Sequence, residues 1–117
     1  MTPRRSPVAA LLPGLFTGLA LALAAAPSLA VDADSALALA RAQNCFKCHA
    51  IEKKKEGPSF KETAAKYKGK AEALDKVIHH LTSGEKAKFP DGHEEEHKIV
   101  KRDPAEIKNL AEWVLSQ

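Results

Sequence analysis

At 117 residues, with 18 Lys and Arg against 15 Asp and Glu, the chain has room for one small domain and carries little net charge. Two of the basic residues, Arg4 and Arg5, fall in a leader; without them sixteen basic residues face fifteen acidic ones, which argues against a nucleic-acid partner. The two cysteines allow one disulfide at most, so this is no disulfide scaffold.

The leader begins with Arg4 and Arg5, continues through a mostly apolar stretch from Val8 to about Ala26, and ends in Ser28-Leu29-Ala30. A positive start, an apolar middle and small residues before a cut site describe a secretory signal, with cleavage after Ala30. A retained anchor fits less well. Pro13, Gly14 and Gly18 interrupt the run, which falls short of the roughly 20 apolar residues of a spanning helix. Residues 1–30 are therefore expected to be a cleaved signal peptide. Residues 31–117 are then one exported domain, periplasmic and without a membrane span. A domain of that size buries only about 60% of its unfolded surface and is marginal unless something completes its core.

Asp34 is placed to cap a first helix through Leu37, Leu39, Ala40 and Ala42, running into Cys45-Phe46-Lys47-Cys48-His49. That pentapeptide is C-x-x-C-H, the attachment sequence of a c-type haem. Two thiols three positions apart can each add to one vinyl group of the same porphyrin, and the adjacent imidazole is held close to the iron. One haem c, covalent through Cys45 and Cys48 with His49 on the metal, is the expected cofactor, and it would supply the missing core. Further on, Ser59-Phe60-Lys61-Glu62 is a capping box that opens a short helix toward Tyr67. Residues 70–83 read as a third helix, with Leu74, Val77, Ile78 and Leu81 on one face. Asp103-Pro104-Ala105-Glu106 combines an N-cap, a proline at N1 and a capping glutamate. The last helix follows, with Ile107, Leu110, Ala111 and Val114 as its stripe. No alternating strand pattern appears, so the fold class is all-α, with loops at 50–58 and 85–102.

This order of elements, with Gly57-Pro58 shortly after the motif and Glu112-Trp113-Val114-Leu115 near the end, resembles a bacterial class I cytochrome c across residues 34–117. The resemblance implies four or so helices around one haem, the first and last crossing where Ala36, Ala40 and Ala42 permit close approach. It implies that the Pro58 carbonyl accepts a hydrogen bond from His49, raising the basicity of the ligand. Phe60 and Trp113 are the candidates for packing on the haem. The implied activity is single-electron transfer by a monomer, not catalysis. Redox partner proteins of acidic character would be steered by Lys47, Lys53, Lys54 and Lys55, which flank the motif.

The chain departs from the family at the distal side of the iron. Its only methionine is Met1, within the leader. The replacement candidates are His79, His80, His93 and His97. On the third helix His79 and His80 fall at about 140° and 240° from Leu74, off the apolar face. Counting back from Trp113 and Asp103 places His97 at the family's ligand position; counting forward from Gly84 favours His93. His97 is the expected ligand and His93 the alternative. Imidazole in place of thioether lowers the potential, and Glu94, Glu95 and Glu96 would add to that. An open or displaceable distal site would instead make this a haem protein that binds small gaseous ligands.

Three rival readings use the same residues. His93-Glu94-Glu95-Glu96-His97 satisfies H-E-x-x-H, but that zinc-protease motif needs a helix in a large catalytic domain. Cys45, Cys48, His93 and His97 have the internal spacing of a zinc site, yet the two halves lie much further apart than the usual roughly 12–15 residues. A thioredoxin-like use of the cysteines lacks a βαβ pattern.

Overall fold

The computed structural model describes residues 30–117, preceded only by the isolated Pro3, Ala10 and Gly14. The signal-peptide reading of the leader thus lies outside the described residues. Helix α1 spans Ala33–Ala42, and its cap is Asp32, not Asp34. The Asp32 carboxylate accepts from the Ser35 amide at 3.0 Å and from the Ser35 hydroxyl at 2.7 Å. Asp34 sits instead in the first turn, where its charge complements the helix dipole. The helix stops at Asn44, which adopts the left-handed conformation (φ 59°) that Asn tolerates better than most residues. One 3-10 turn, Cys45–Lys47, follows directly.

Helix α2 is Phe60–Tyr67, α3 is Ala73–Thr82 and α4 is Pro104–Leu115. Both capping boxes read from the sequence are formed, Ser59 with Glu62 and Asp103 with Glu106. Helix α3 is shorter than its apolar pattern suggests. After Gly69 (φ 74°), residues 70–72 are spent on a turn in which the Lys70 amide reaches the Tyr67 carbonyl and the Ala73 amide reaches that of Lys70. The expected loop 85–102 also contains structure: β1 (Lys86–Lys88) and β2 (Glu94–Glu96) form an antiparallel hairpin. Lys86 opposes Glu96 and Lys88 opposes Glu94, so cross-strand charge complementarity substitutes for an apolar face.

Helix α4 packs against α1, α2 and α3 and is the centre of the fold. It crosses α1 where Ala36, Ala40 and Ala111 are buried, small side chains that let two backbones approach. The crossing is fastened at one end by a reciprocal pair: the Asp32 amide donates to Asn109 Oδ1 and Asn109 Nδ2 donates to the Asp32 carbonyl, both at 2.8 Å. Leu39, Val77, Leu81, Val100, Ile107, Leu110 and Val114 complete a thin core that stops short of filling the space between the helices. Among the described residues no buried side-chain polar atom lacks a partner.

Ala40→Leu is expected to force α1 from α4 and destabilise the protein by about 1–3 kcal/mol. Removing the buried cap of α2 with Ser59→Ala should cost about 1 kcal/mol. Urea unfolding of the two variants measures both.

Candidate haem-binding site

The 3-10 turn brings the Cys48 and His49 amides back to the Cys45 carbonyl, at 3.2 and 3.0 Å, so that Cys45, Cys48 and His49 all line one cavity. Both cysteines are free thiols. Burial pushes the Cys45 thiol above its ordinary range, and burial with the Glu56 carboxylate does the same to Cys48. A redox-active dithiol needs the opposite shift, toward thiolate. The electrostatics therefore oppose the thioredoxin-like reading.

His49 is held on three sides. Its Nδ1–H donates to the Pro58 carbonyl at 2.7 Å, and its ring stacks on Phe60 with centroids 5.5 Å apart and planes 23° from parallel. Its third side rests on Gly57, where any Cβ would stand 2.5 Å from Cε1 and 2.8 Å from Nδ1. Only glycine leaves room for the imidazole. Because a carbonyl can only accept, Nδ1 carries the proton and Nε2 keeps its lone pair. Burial also holds the ring below the ordinary imidazole pKa, hence neutral at pH 7.

His97 faces His49 with its ring centroid 6.2 Å away. Its Nδ1 lies 3.1 Å from the Lys98 carbonyl, which assigns the same tautomer and again leaves Nε2 as the lone-pair nitrogen. Burial, followed by the neighbouring His80 and His49, lowers its pKa as well. The backbone delivers this ring through the hairpin: the His97 amide donates to the Glu85 carbonyl at 2.9 Å, and the Val100 amide to that of Leu81 at 2.8 Å.

The other histidines are placed differently. His93 is half-exposed, stacks on Phe89 at 4.3 Å, and offers Nδ1 to Asp91 and Nε2 to Glu95. The Asp91 hydrogen bond raises its pKa, favouring a cation with no lone pair to give. It does not line the cavity. The four-residue zinc reading is not assembled, and the protease reading loses its helix because Glu94–Glu96 is a strand. His79 is exposed, near Glu85. His80, read from the sequence as a surface residue, lines the cavity instead; its Nδ1 bonds to Glu85 and its ring lies 3.9 Å from that of His97. Val77 and Leu81 of the α3 stripe line the same cavity, and His80, at the edge of that stripe, extends the cavity-facing surface of the helix beyond its apolar residues.

The cavity encloses about 1030 Å³, at the upper end for a cofactor site. Its apolar wall includes Phe60, Val77, Leu81, Val100, Leu110 and Val114. Trp113 is not part of that wall; it lies behind Phe60, edge to face at 5.5 Å. Two imidazoles on opposite sides of one metal ion, each with a nitrogen about 2.0–2.1 Å from it, have ring centres about 6.3 Å apart. The residues present therefore suit a large apolar ring tethered by two sulfurs and carrying a metal between His49 and His97.

Over residues 33–117 the chain matches the family described as Cytochrome c, and it belongs to that family. Cytochrome c-551 of Stutzerimonas stutzeri is 36% identical over 106 residues, covering 91% of this chain and 94% of the relative. Cytochrome c-552 of Nitrosomonas europaea is 34% identical over 102 residues, covering 87% and 93%. Among solved structures, the class 1 cytochrome MtoD of Sideroxydans lithotrophicus ES-1 superimposes with a TM-score of 0.73 at 64% identity, over 74% of this chain and 97% of its own. The fold is that of a small class I c-type cytochrome, a monohaem electron carrier. The haem c of this family is covalently bound, and Cys45 and Cys48 occupy its two attachment positions.

Gly57→Ala should displace the His49 ring, seen as loss of the low-spin haem spectrum and as a destabilisation of about 1–3 kcal/mol from overpacking. In the haem-loaded protein, NMR titration should find His93 protonating freely with a pKa above the ordinary imidazole value. Asp91→Asn should bring that pKa down.

Proposed function

We propose that residues 31–117 are a monomeric periplasmic electron carrier whose haem is ligated by His49 and His97 and poised at low potential. The observation that carries this reading is the matched pair of imidazoles: both neutral, both donating Nδ1–H to backbone carbonyls, and facing each other at the spacing of a shared metal. When bound, the haem supplies a one-electron ferric/ferrous couple. The chain's part is to keep both ligands still. His49 is fixed by Gly57, Pro58 and Phe60, and His97 by backbone bonds at both ends of its loop, so coordination changes little when the electron moves.

Exchange of thioether for imidazole lowers the potential. The acidic run adds less than its composition suggests. Five glutamates and five lysines line the cavity, and Glu94 is not among them. Export is supported by the pattern of residues 1–30. Among the described residues no helix is long and apolar enough to cross a membrane. A monomer fits a described surface on which Ile99 is the one exposed large hydrophobic residue. Partner docking falls to Lys47 and Lys54, which line the cavity, and to exposed Lys53. Lys55 is exposed as well, with its ammonium donating to the Phe46 carbonyl.

The test is spectroscopy of haem-loaded protein. His97→Ala should lose the low-spin spectrum while His93→Ala keeps it, and the reverse result would reject the ligand assignment. His97→Met should raise the reduction potential, on the order of 0.1–0.3 V within the roughly 0.8 V that axial ligation spans. The reduced wild type should be inert to carbon monoxide; rapid binding would support the gas-binding alternative.

A further inference from the structure

Tyr67, the last residue of α2, lines two cavities at once. One is the haem cavity; the other is a separate open cleft of about 430 Å³ whose walls include Lys68, Lys70, Ala73 and Leu115. The Lys66 and Lys70 ammonium groups stand 5.3 and 5.8 Å from the Tyr67 ring centroid. No acidic side chain lines the cleft, and among the described residues none of Lys66, Lys68 and Lys70 is paired with a carboxylate. The side chains lining the haem cavity balance in charge with Lys66 counted among them, whereas Lys68 and Lys70 line the cleft with no acidic side chain opposite, beside the one aromatic ring common to both linings.

We propose that this cleft is a second docking surface, for an acidic segment of a redox partner protein, with Tyr67 as the contact between partner and haem. The lysines would draw carboxylates to the rim and raise the rate of encounter. The aromatic ring then shortens the gap an electron must cross. One electron passes between the reduced and the oxidised centre; no bond forms or breaks and no proton moves. The inference rests on haem in the cavity and not on which residue is the distal ligand.

The experiment uses isotope-labelled haem-loaded protein and hexacyanochromate(III), a redox-inert paramagnetic trianion, with the haem spectrum confirming that the cofactor is bound. Amide signals of residues 66–70 and 117 should broaden, and K68E/K70E should abolish this. Oxidation of the reduced protein by ferricyanide should slow severalfold in K68E/K70E at low ionic strength. That difference should vanish at about 1 M salt, where the screening length is about 3 Å. K101E/K108E makes the same change in net charge away from both cavities and should slow oxidation less. Broadening confined to residues 47–54, or equal slowing in both variants, would overturn the proposal. So would phosphatidylglycerol vesicles that retain wild type but not K68E/K70E, since the patch would then be a membrane contact.

Discussion

The imidazole of His49 rests on bare backbone at Gly57, and much of the structure follows from that contact. For the ring to lie there, residues 50–58 must fold back on the motif. They are pinned in that path: the Gly57 amide donates to the Cys48 carbonyl, Phe60 to Ala50 and Lys61 to Ile51. The fold-back places Ser59 in the interior, where its hydroxyl and amide are both used by the capping box of α2. The box in turn aims Phe60 at His49 on one side and Trp113 on the other. A local chemical motif is thereby mechanically continuous with α4, the helix on which α1, α2 and α3 all pack.

The opposite wall is built by other means. No helix carries His97; a short hairpin with no apolar face does. Its strands are held by ladder bonds and opposed charges, its turn by the Phe89 amide on the His93 carbonyl and by Gly92 at φ 93°. Backbone bonds to Glu85 and Leu81 then anchor the returning chain to the end of α3. A small domain thus encloses a cofactor-sized cavity without a large core, with an imidazole presented from each side.

The helices were legible because their signals are local. Ser59 with Glu62 and Asp103 with Glu106 are interactions across three residues, and the apolar stripes of α3 and α4 repeat within a few turns. Asp32 and Asp34 both carry a capping carboxylate near the start of α1, and it is Asp32 whose backbone is tied to Asn109 of α4 and whose carboxylate caps the helix. The hairpin left a trace that was available but weak. Asp91-Gly92 is a turn signal, yet Lys-Ala-Lys is only three residues long and Glu-Glu-Glu has no apolar residue to accompany it. His80 was hidden for a different reason: it borders the same cavity as Val77 and Leu81, and an apolar stripe does not show how far a cavity wall extends past its edge.

The sequence by itself determined that Cys45, Cys48 and His49 share one turn and that Gly57-Pro58 follows at a reach suited to the ring, because those relations span fewer than about ten residues of backbone. It also determined that Met1 is the one methionine of the chain. Which of the remaining imidazoles faces His49 was decided only by tertiary structure. His93 and His97 are four positions apart, on either side of the same three glutamates, and local rules do not say which of them turns inward. The course of residues 85–102 over the cavity turns one ring inward beside its Lys98 carbonyl and leaves the other outside between two carboxylates. That difference in environment, lone pair against proton, arises from packing at long range in the chain.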